Sequence, residues 1–399
     1  MKKFLLLFML MFGALLRTHA QEPCATDFVH QQLMQTDAAY RNQITNLGIE
    51  IKNIIDHQKK SAATVYMIPV VVHVIHLGEP VGTGTNISDS QIQGAIDGIN
   101  NRWRNIIGSG ADMEVQFCLA PLDTGGNPST GIVRVDGSGV PNYASMGINA
   151  NNPGCGGADE TTIKNLSRWP VSDYYNIWVV SAICGGWSGW AYYPWGGQND
   201  GASIKYSSMT GSSTLPSHEV GHGFFLYHTF EGDGGNVSCP ADTNCSNNGD
   251  HVCDTQPHKQ GDCGAANPCI GSGTWDNSRF NYMSYCSGLD RFSAGQKARV
   301  QAPLLVPPRA SLLLNAICPG TGIDEYSTHG NISAYPNPVT SVLKIDGLKE
   351  NSPVTITDMR GKVLLKKIAG ENFSIDLSSL EKGVYIFYFS SGVKKIVKM

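Results

Sequence analysis

Residues 218–228 read His-Glu-Val-Gly-His-Gly-Phe-Phe-Leu-Tyr-His. His218 and His222 are four positions apart, so on a helix they lie ~40° from each other on one face, one turn along. Two imidazoles so placed can chelate one Zn²⁺. Glu219 stands beside them and reaches a metal-bound water rather than the metal. Zinc lowers the pKa of that water to about 7, and the carboxylate takes its proton as the hydroxide attacks a carbonyl. A structural zinc site would be closed by a fourth protein ligand and would have no use for Glu219. His-Glu-x-x-His alone is a short pattern that chance can supply. His228 adds weight to it. On a continuing helix it would sit about 15 Å beyond His218, out of reach of the same ion. A third ligand therefore requires the chain to turn soon after His222, and glycine usually permits such a turn. Gly221 and Gly223 are near, but position 225 is Phe.

A second group of residues, Asn281-Tyr282-Met283-Ser284-Tyr285, lies beyond a cysteine-rich segment. Together with His218–His228 it resembles the metzincin metalloproteases, and within them the pappalysin (cytophagalysin) branch. Further shared words are Cys-Asp-Thr at 253–255, Phe292, and Gly295-Gln296-Lys297-Ala298-Arg299. The strand-like Ile-Pro-Val-Val-Val-His from Ile68 and the segment Phe117–Ala120 are similar to that family too. The resemblance covers about residues 64–318. It implies His218, His222 and His228 as zinc ligands and Glu219 as general base. It implies Met283 as a sulfur floor beneath the zinc, and Tyr285 as a residue that binds zinc or stabilises the oxyanion. It suggests Ca²⁺ near Asp250, Asp254 and Thr255, where loop oxygens would order a segment with little core. More weakly, it extends to Cys24, where relatives place a Cys that blocks the zinc of the latent form. One departure stands out: the metzincin pattern has Gly where this chain has Phe225. A Phe at positive φ costs roughly 1–2 kcal/mol, unless Gly223 absorbs the turn.

These residues need a scaffold. Ile68–Ile75 reads as a buried strand, and Ser88 or Asp89 can cap a helix with Ile92, Ile96, Ile99 and Trp103 on one face. Strands follow at Glu114–Leu119, Ile132–Val135, Asn176–Ala182 and Ser203–Ser207, which predicts a mixed sheet with a backing helix over 64–209. Upstream, Ile44, Leu47, Ile51, Ile54 and Ile55 show helical spacing, ahead of a polar stretch at Lys59–Ala63. His73 and His76 read as packed or surface residues, His251 and His258 as loop residues.

The far end differs in composition. Beyond Cys318 there is no Cys or Trp, and from Tyr326 Lys plus Arg outnumber Asp plus Glu ten to six. Pro319–Gly322 reads as a linker. Short strands are expected at Ser341–Ile345, Val354–Asp358, Lys362–Ile368, Phe373–Leu377, Val384–Phe389 and Lys394–Lys398, a small all-β sandwich. Ala334-Tyr335-Pro336-Asn337-Pro338, Asp358-Met359-Arg360-Gly361-Lys362, Gly383-Val384-Tyr385 and a basic end resemble the C-terminal sorting domain of the type IX secretion system of Bacteroidetes. That implies a second export step across the outer membrane.

The near end fits export. Lys2-Lys3, an apolar run from Phe4 to Leu16, and Ala20 form a signal-peptide pattern too short to span a membrane. In an exported chain the 11 cysteines are expected to pair, leaving one over, and Cys24 is far from the rest. Net charge is −4 with only 16% charged residues, which gives no footprint for nucleic acid and argues against disorder. The sequence thus predicts an α+β protein: signal peptide 1–20, propeptide 21–63, metzincin-type protease domain 64–318, linker 319–330 and sorting domain 331–399. The protease domain would hold a twisted mixed sheet, a backing helix, an active-site helix and a loop-rich lower subdomain. The expected activity is a zinc endopeptidase, secreted or attached at the cell surface. Its expected partners are protein or peptide substrates and the type IX machinery, with no transmembrane segment in the mature protein. The alternative is a surface adhesin whose zinc site is inactive.

Overall fold

The computed structural model describes residues 24–57, 65–241, 243–276, 278–314 and 318. In the C-terminal part it describes 333–348, 350, 353–358, 363–370, 373–389 and 392–399. The expected signal peptide, the polar stretch at Lys59–Ala63 and the linker 319–330 lie outside them.

The helices in chain order are α1 (Thr26–Thr36), α2 (Ala38–His57), α3 (Asp89–Trp103), α4 (Tyr143–Met146), α5 (Glu160–Lys164), α6 (Leu215–Gly223), α7 (Ala294–Gln301) and α8 (Ala310–Leu314). Strands β1 (Tyr66–His76), β2 (Val115–Leu119), β3 (Ile132–Asp136), β5 (Tyr175–Val180), β7 (Gly189–Ala191) and β8 (Ala202–Lys205) build the main sheet. Between them β4 (Ile148–Asn149) and β6 (Ile183–Cys184) pair separately. The sheet runs β2-β1-β5-β8-β7, with β3 continuing the β2 edge of β1. All its pairings are parallel except β7 with β8, so the sheet is mixed as expected. The eight residues of β1 from Ile68 to Ile75 are all buried, which is why the sequence there does not alternate.

Each face of the sheet carries a core. On one, α3 lays Ile92, Ile96, Ile99 and Trp103 against Val70, Val72, Ile177 and Val220. The Ser88 side chain caps this helix by accepting from the Gln91 N–H. On the other, Tyr40, Ile44, Leu47 and Ile51 of α2 join Trp178, Trp190, Tyr193 and Phe225. The upstream helices are therefore part of the packed body and cover one side of the region around α6.

After α6 regular structure is sparse and covalent ties take over. Cys239–Cys269, Cys245–Cys253 and Cys263–Cys286 staple the Asn-, Asp- and Gly-rich segment. Cys155–Cys184 and Cys118–Cys318 complete the set, and Cys24 alone is free. The long Cys118–Cys318 loop ties residue 318 back to β2.

The C-terminal part has two antiparallel sheets around a core of its own. One holds β9 (Ser333–Tyr335), β10 (Val342–Asp346) and β13 (Ser374–Asp376). The other holds β11 (Pro353–Asp358), β12 (Val363–Ile368), β14 (Gly383–Phe389) and β15 (Gly392–Lys398). In β10, Leu343 and Ile345 point in while Val342, Lys344 and Asp346 face out. β9 was not among the expected strands: three residues with no apolar alternation give no period to read.

Candidate active site

Helix α6 begins with Pro216 in its first turn, where the missing N–H has no cost, and presents His218 and His222 on one face. The helix stops at Gly223. Phe225 then takes φ +74°, its N–H bonding the His222 carbonyl, while Leu226 N–H returns to the Gly221 carbonyl. The turn therefore falls on Phe225 itself and is not absorbed by Gly223. Two arginines hold it. Arg299 Nε donates to the Phe225 carbonyl at 2.8 Å, and Arg309 Nε donates to the Gly223 carbonyl at 2.9 Å. Arg309 is in turn gripped by the buried Asp200. Gly223 is needed for proximity, since a Cβ there would lie 1.9 Å from the Tyr175 hydroxyl.

The turn brings His228 back. Its Nε2 lies 3.1 Å from Nε2 of His218 and 3.2 Å from Nε2 of His222, and those two are 3.2 Å apart. Each Nδ1 has an acceptor: the Tyr282 carbonyl for His218, the Leu226 carbonyl for His222, and the Asp27 carboxylate for His228. A carbonyl accepts only, so Nδ1 of His218 and of His222 carries the proton and Nε2 offers its lone pair. Burial, then the neighbouring imidazoles, hold His218 down to about 3 and His222 well below the usual histidine range. Three lone pairs meeting at this spacing repel unless a cation lies between them. A triangle with sides of 3.1–3.2 Å has a point about 2 Å from every corner, the zinc–imidazole distance. The donor set fits zinc.

Around the three rings stand the other candidates. Cys24 Sγ comes close enough to the three histidines to share an ion with them. It also donates to Glu219 Oε2 at 3.3 Å. Glu219 is fully buried; burial pushes its carboxyl up to about 8, and its Oε1 has no hydrogen-bond partner among the described residues. Tyr285 donates to the Cys24 carbonyl at 3.3 Å, with its ring 5.0 Å from that of His228. Met283 lies beneath α6, so that a Cβ on Gly221 would come 2.6 Å from its sulfur. The same turn supplies the Tyr282 carbonyl to His218 and the Met283 carbonyl to the Thr229 N–H.

The loop candidates are elsewhere. Asp250 accepts from the Thr255 hydroxyl at 2.7 Å and is pushed up to about 7 by burial. Asp254 turns away from that pair and accepts from the Ser293 hydroxyl and the Gly295 N–H at the start of α7. His73 is buried against Trp178, and His258 bonds the Thr229 hydroxyl.

Several participants were not read from the sequence. Asp27 had a signal, an acid three residues past Cys24. Its carboxyl is pushed up by burial, but the charge and hydrogen bond of His228 outweigh this and hold it low. Arg299 was read only as part of a shared word, and its hold on a backbone carbonyl, like that of Arg309 backed by Asp200, leaves no mark on residue type.

A mixed sheet over a helix bearing two histidines, a turn returning a third, and a methionine turn beneath define a metal-dependent peptidase. Residues 157–304 match the family model described as pregnancy-associated plasma protein-A, and residues 333–399 match the secretion system C-terminal sorting domain. An extracellular metalloprotease of Neurospora crassa is 26% identical over 306 residues, covering 72% of this chain and 90% of its own length. One from Arthroderma otae is 26% identical over 237 residues, covering 55% and 72%. A promirolysin mutant of Tannerella forsythia shares the fold, with a TM-score of 0.53 and 22% identity over 74% of this chain and 98% of that one. Residues 157–304 are thus of the pappalysin peptidase type, and residues 333–399 are a type IX secretion sorting domain. It is a metalloendopeptidase exported across the outer membrane, and among the described residues no helix is long and apolar enough to cross a membrane.

Proposed function

We propose that the chain is a zinc endopeptidase synthesised as a latent precursor. His218, His222 and His228 hold the metal, and the convergence of their Nε2 atoms is the observation that carries this. Bound zinc would supply Lewis acidity, lowering the pKa of a water to about 7 and polarising a carbonyl. Glu219, with its unpartnered Oε1, receives the proton of that water and passes it to the leaving amine. Tyr285 offers its hydroxyl to the oxyanion. Met283 packs beneath the histidines and fixes their level. The substrate is an extended polypeptide that adds to the free edge of β7, next to Glu219.

Latency rests on the segment that now uses these groups. Cys24 bridges to Gly189 of β7, and Ala25 N–H donates to the Gly189 carbonyl at 2.9 Å. The Cys24 sulfur lies within 4.8 Å of the three histidine nitrogens, which supports a thiolate that takes the place of the water. Cleavage after the segment, around Lys59–Ala63, would release the domain that runs to residue 318. Ca²⁺ near Asp250 and Thr255 remains part of the proposal, supported by oxygen donors in a loop held chiefly by disulfides, whereas Asp254 is engaged by Ser293 and Gly295 instead.

The test is Glu219→Gln. The variant should bind Zn²⁺ as the wild type does and lose at least about 10²–10⁴-fold in casein turnover. Near-normal turnover removes Glu219 from the mechanism. Wild-type digestion that survives a zinc chelator removes the metal.

A further inference from the structure

The three Nδ1 partners are not equivalent. Those of His218 and His222 are carbonyls of the protease body, at Tyr282 and Leu226. That of His228 is Asp27, which belongs to α1 of the N-terminal segment. Metal-binding imidazoles depend on this second bond: it fixes the ring and its tautomer, and losing it typically costs 10–100-fold in metal affinity. If activation removes the segment, one of the three histidines is stripped of its partner when the metal must stay.

A replacement lies beside it. Glu231 follows His228 by three residues on a turn closed by its own N–H to the His228 carbonyl at 3.0 Å. Its carboxylate, that of Asp27 and the His228 ring lie within 4.8 Å of one another. Among the described residues, no hydrogen bond engages the Glu231 carboxylate, whereas Asp27 holds the imidazole at 2.8 Å. Two acids thus stand beside the His228 ring, one belonging to the removable segment and one to the body. Among the described residues no other carboxylate groups with the His228 ring in this way.

We propose that Glu231 is a positioning residue of the mature enzyme: it takes over the His228 Nδ1–H when Asp27 departs, so that the metal is retained through activation. This rests on the reading that the N-terminal segment is removed, but not every arm of the test does. In the hand-over a hydrogen bond to Asp27 is exchanged for one to Glu231, and no proton leaves the imidazole.

The test measures Zn²⁺ affinity by competition with a chromophoric chelator, with circular dichroism of each metal-free variant as a fold control. In the mature protein, Glu231→Ala should weaken Zn²⁺ binding about 10–100-fold. Glu231→Gln, whose amide oxygen still accepts, should restore most of it. In the uncut precursor, Glu231→Ala should leave affinity unchanged, because Asp27 serves. Also in the precursor, Asp27→Ala alone should have little effect while the double variant falls by the full factor. This last comparison needs no activation, so it stands even if the segment proves permanent. Unchanged affinity in the mature Glu231→Ala protein would overturn the hand-over. So would an equal loss in precursor and mature forms, or a double variant no weaker than Asp27→Ala.

Discussion

Phe225 carries the strained turn between His222 and His228, and replacing it by glycine pits two effects of known size against each other. The φ of +74° strains any residue with a Cβ, so Phe225→Gly recovers roughly 1–2 kcal/mol. The ring, however, is fully buried. Arg299 lies 4.9 Å from its centroid, Tyr193 packs edge-on at 5.6 Å, and α2 passes so close that a Cβ on Gly48 would sit 3.9 Å from it. Deleting such a side chain costs roughly 3–5 kcal/mol. Packing wins in the uncut chain, for a net loss of about 1–4 kcal/mol, or a melting temperature lower by roughly 2–15 °C at the slope of a domain this size. The proposed mature form should differ. Without α2 the ring would be partly in water, the packing loss would fall by about half, and the two effects would come close to cancelling. Differential scanning calorimetry of both forms, each saturated with Zn²⁺, reads this directly. An uncut variant as stable as wild type, or an equal drop in both forms, would refute the claim that α2 compensates for the strained turn.

Three further outcomes are expected. Asp200→Asn leaves the Arg309 guanidinium buried without its charge partner, and chemical denaturation should show a loss of about 3–5 kcal/mol; a change under about 1 kcal/mol would mean the pair holds little. His73 is pushed down to about 4 by burial, below its unfolded value of about 6.5, so the unfolded chain takes up a proton that the folded chain refuses. Its contribution is intact above pH 6.5 and lost as pH falls from there towards 4; His73→Gln should lack that part of the acid sensitivity, and parallel stability–pH curves would exclude it. Cys24→Ala should make the precursor mature sooner without altering the mature enzyme, and a precursor as latent as wild type would rule out the thiolate block.

Much of the fold was legible because burial writes itself into spacing. The apolar run of β1, the one-faced pattern of α3 and the period-2 strands of the tail all follow from which faces meet a core. The three histidines were legible as a triplet because chelation demands residue types at fixed separation. The turn between them was not. The sequence offered glycines at 221 and 223 for it, yet Gly221 serves close contact with Met283 and Gly223 close contact with Tyr175. The strain fell on Phe225 because arginines distant in sequence, 299 and 309, secure the carbonyls on either side. Nothing local to residue 225 announces that support.

The N-terminal segment is bound by more than the sulfur of Cys24, and this bears on how latency ends. Thr26 meets Ala191 and Glu219, Asp27 meets His228, and the Cys24 carbonyl receives Tyr285. Four buried apolar side chains of α2 add to these contacts. At ~1.5–3 kcal/mol for each fully buried large side chain, α2 holds the segment more firmly than one thiolate bond alone would require. On the latency proposed above, cutting the chain would therefore not by itself free the cleft. It converts a covalent neighbour into a separate ligand whose grip depends on concentration, so that dilution or further cleavage within α2 completes the release. Every group the segment lets go must then be satisfied by water, by substrate or by the protease body. For Glu219, Tyr285 and the β7 edge the natural successor is the substrate and its attacking water. The Nδ1 of His228 lies on the far side of the ring from the metal position, and on the reading proposed above Glu231 of the body is its successor.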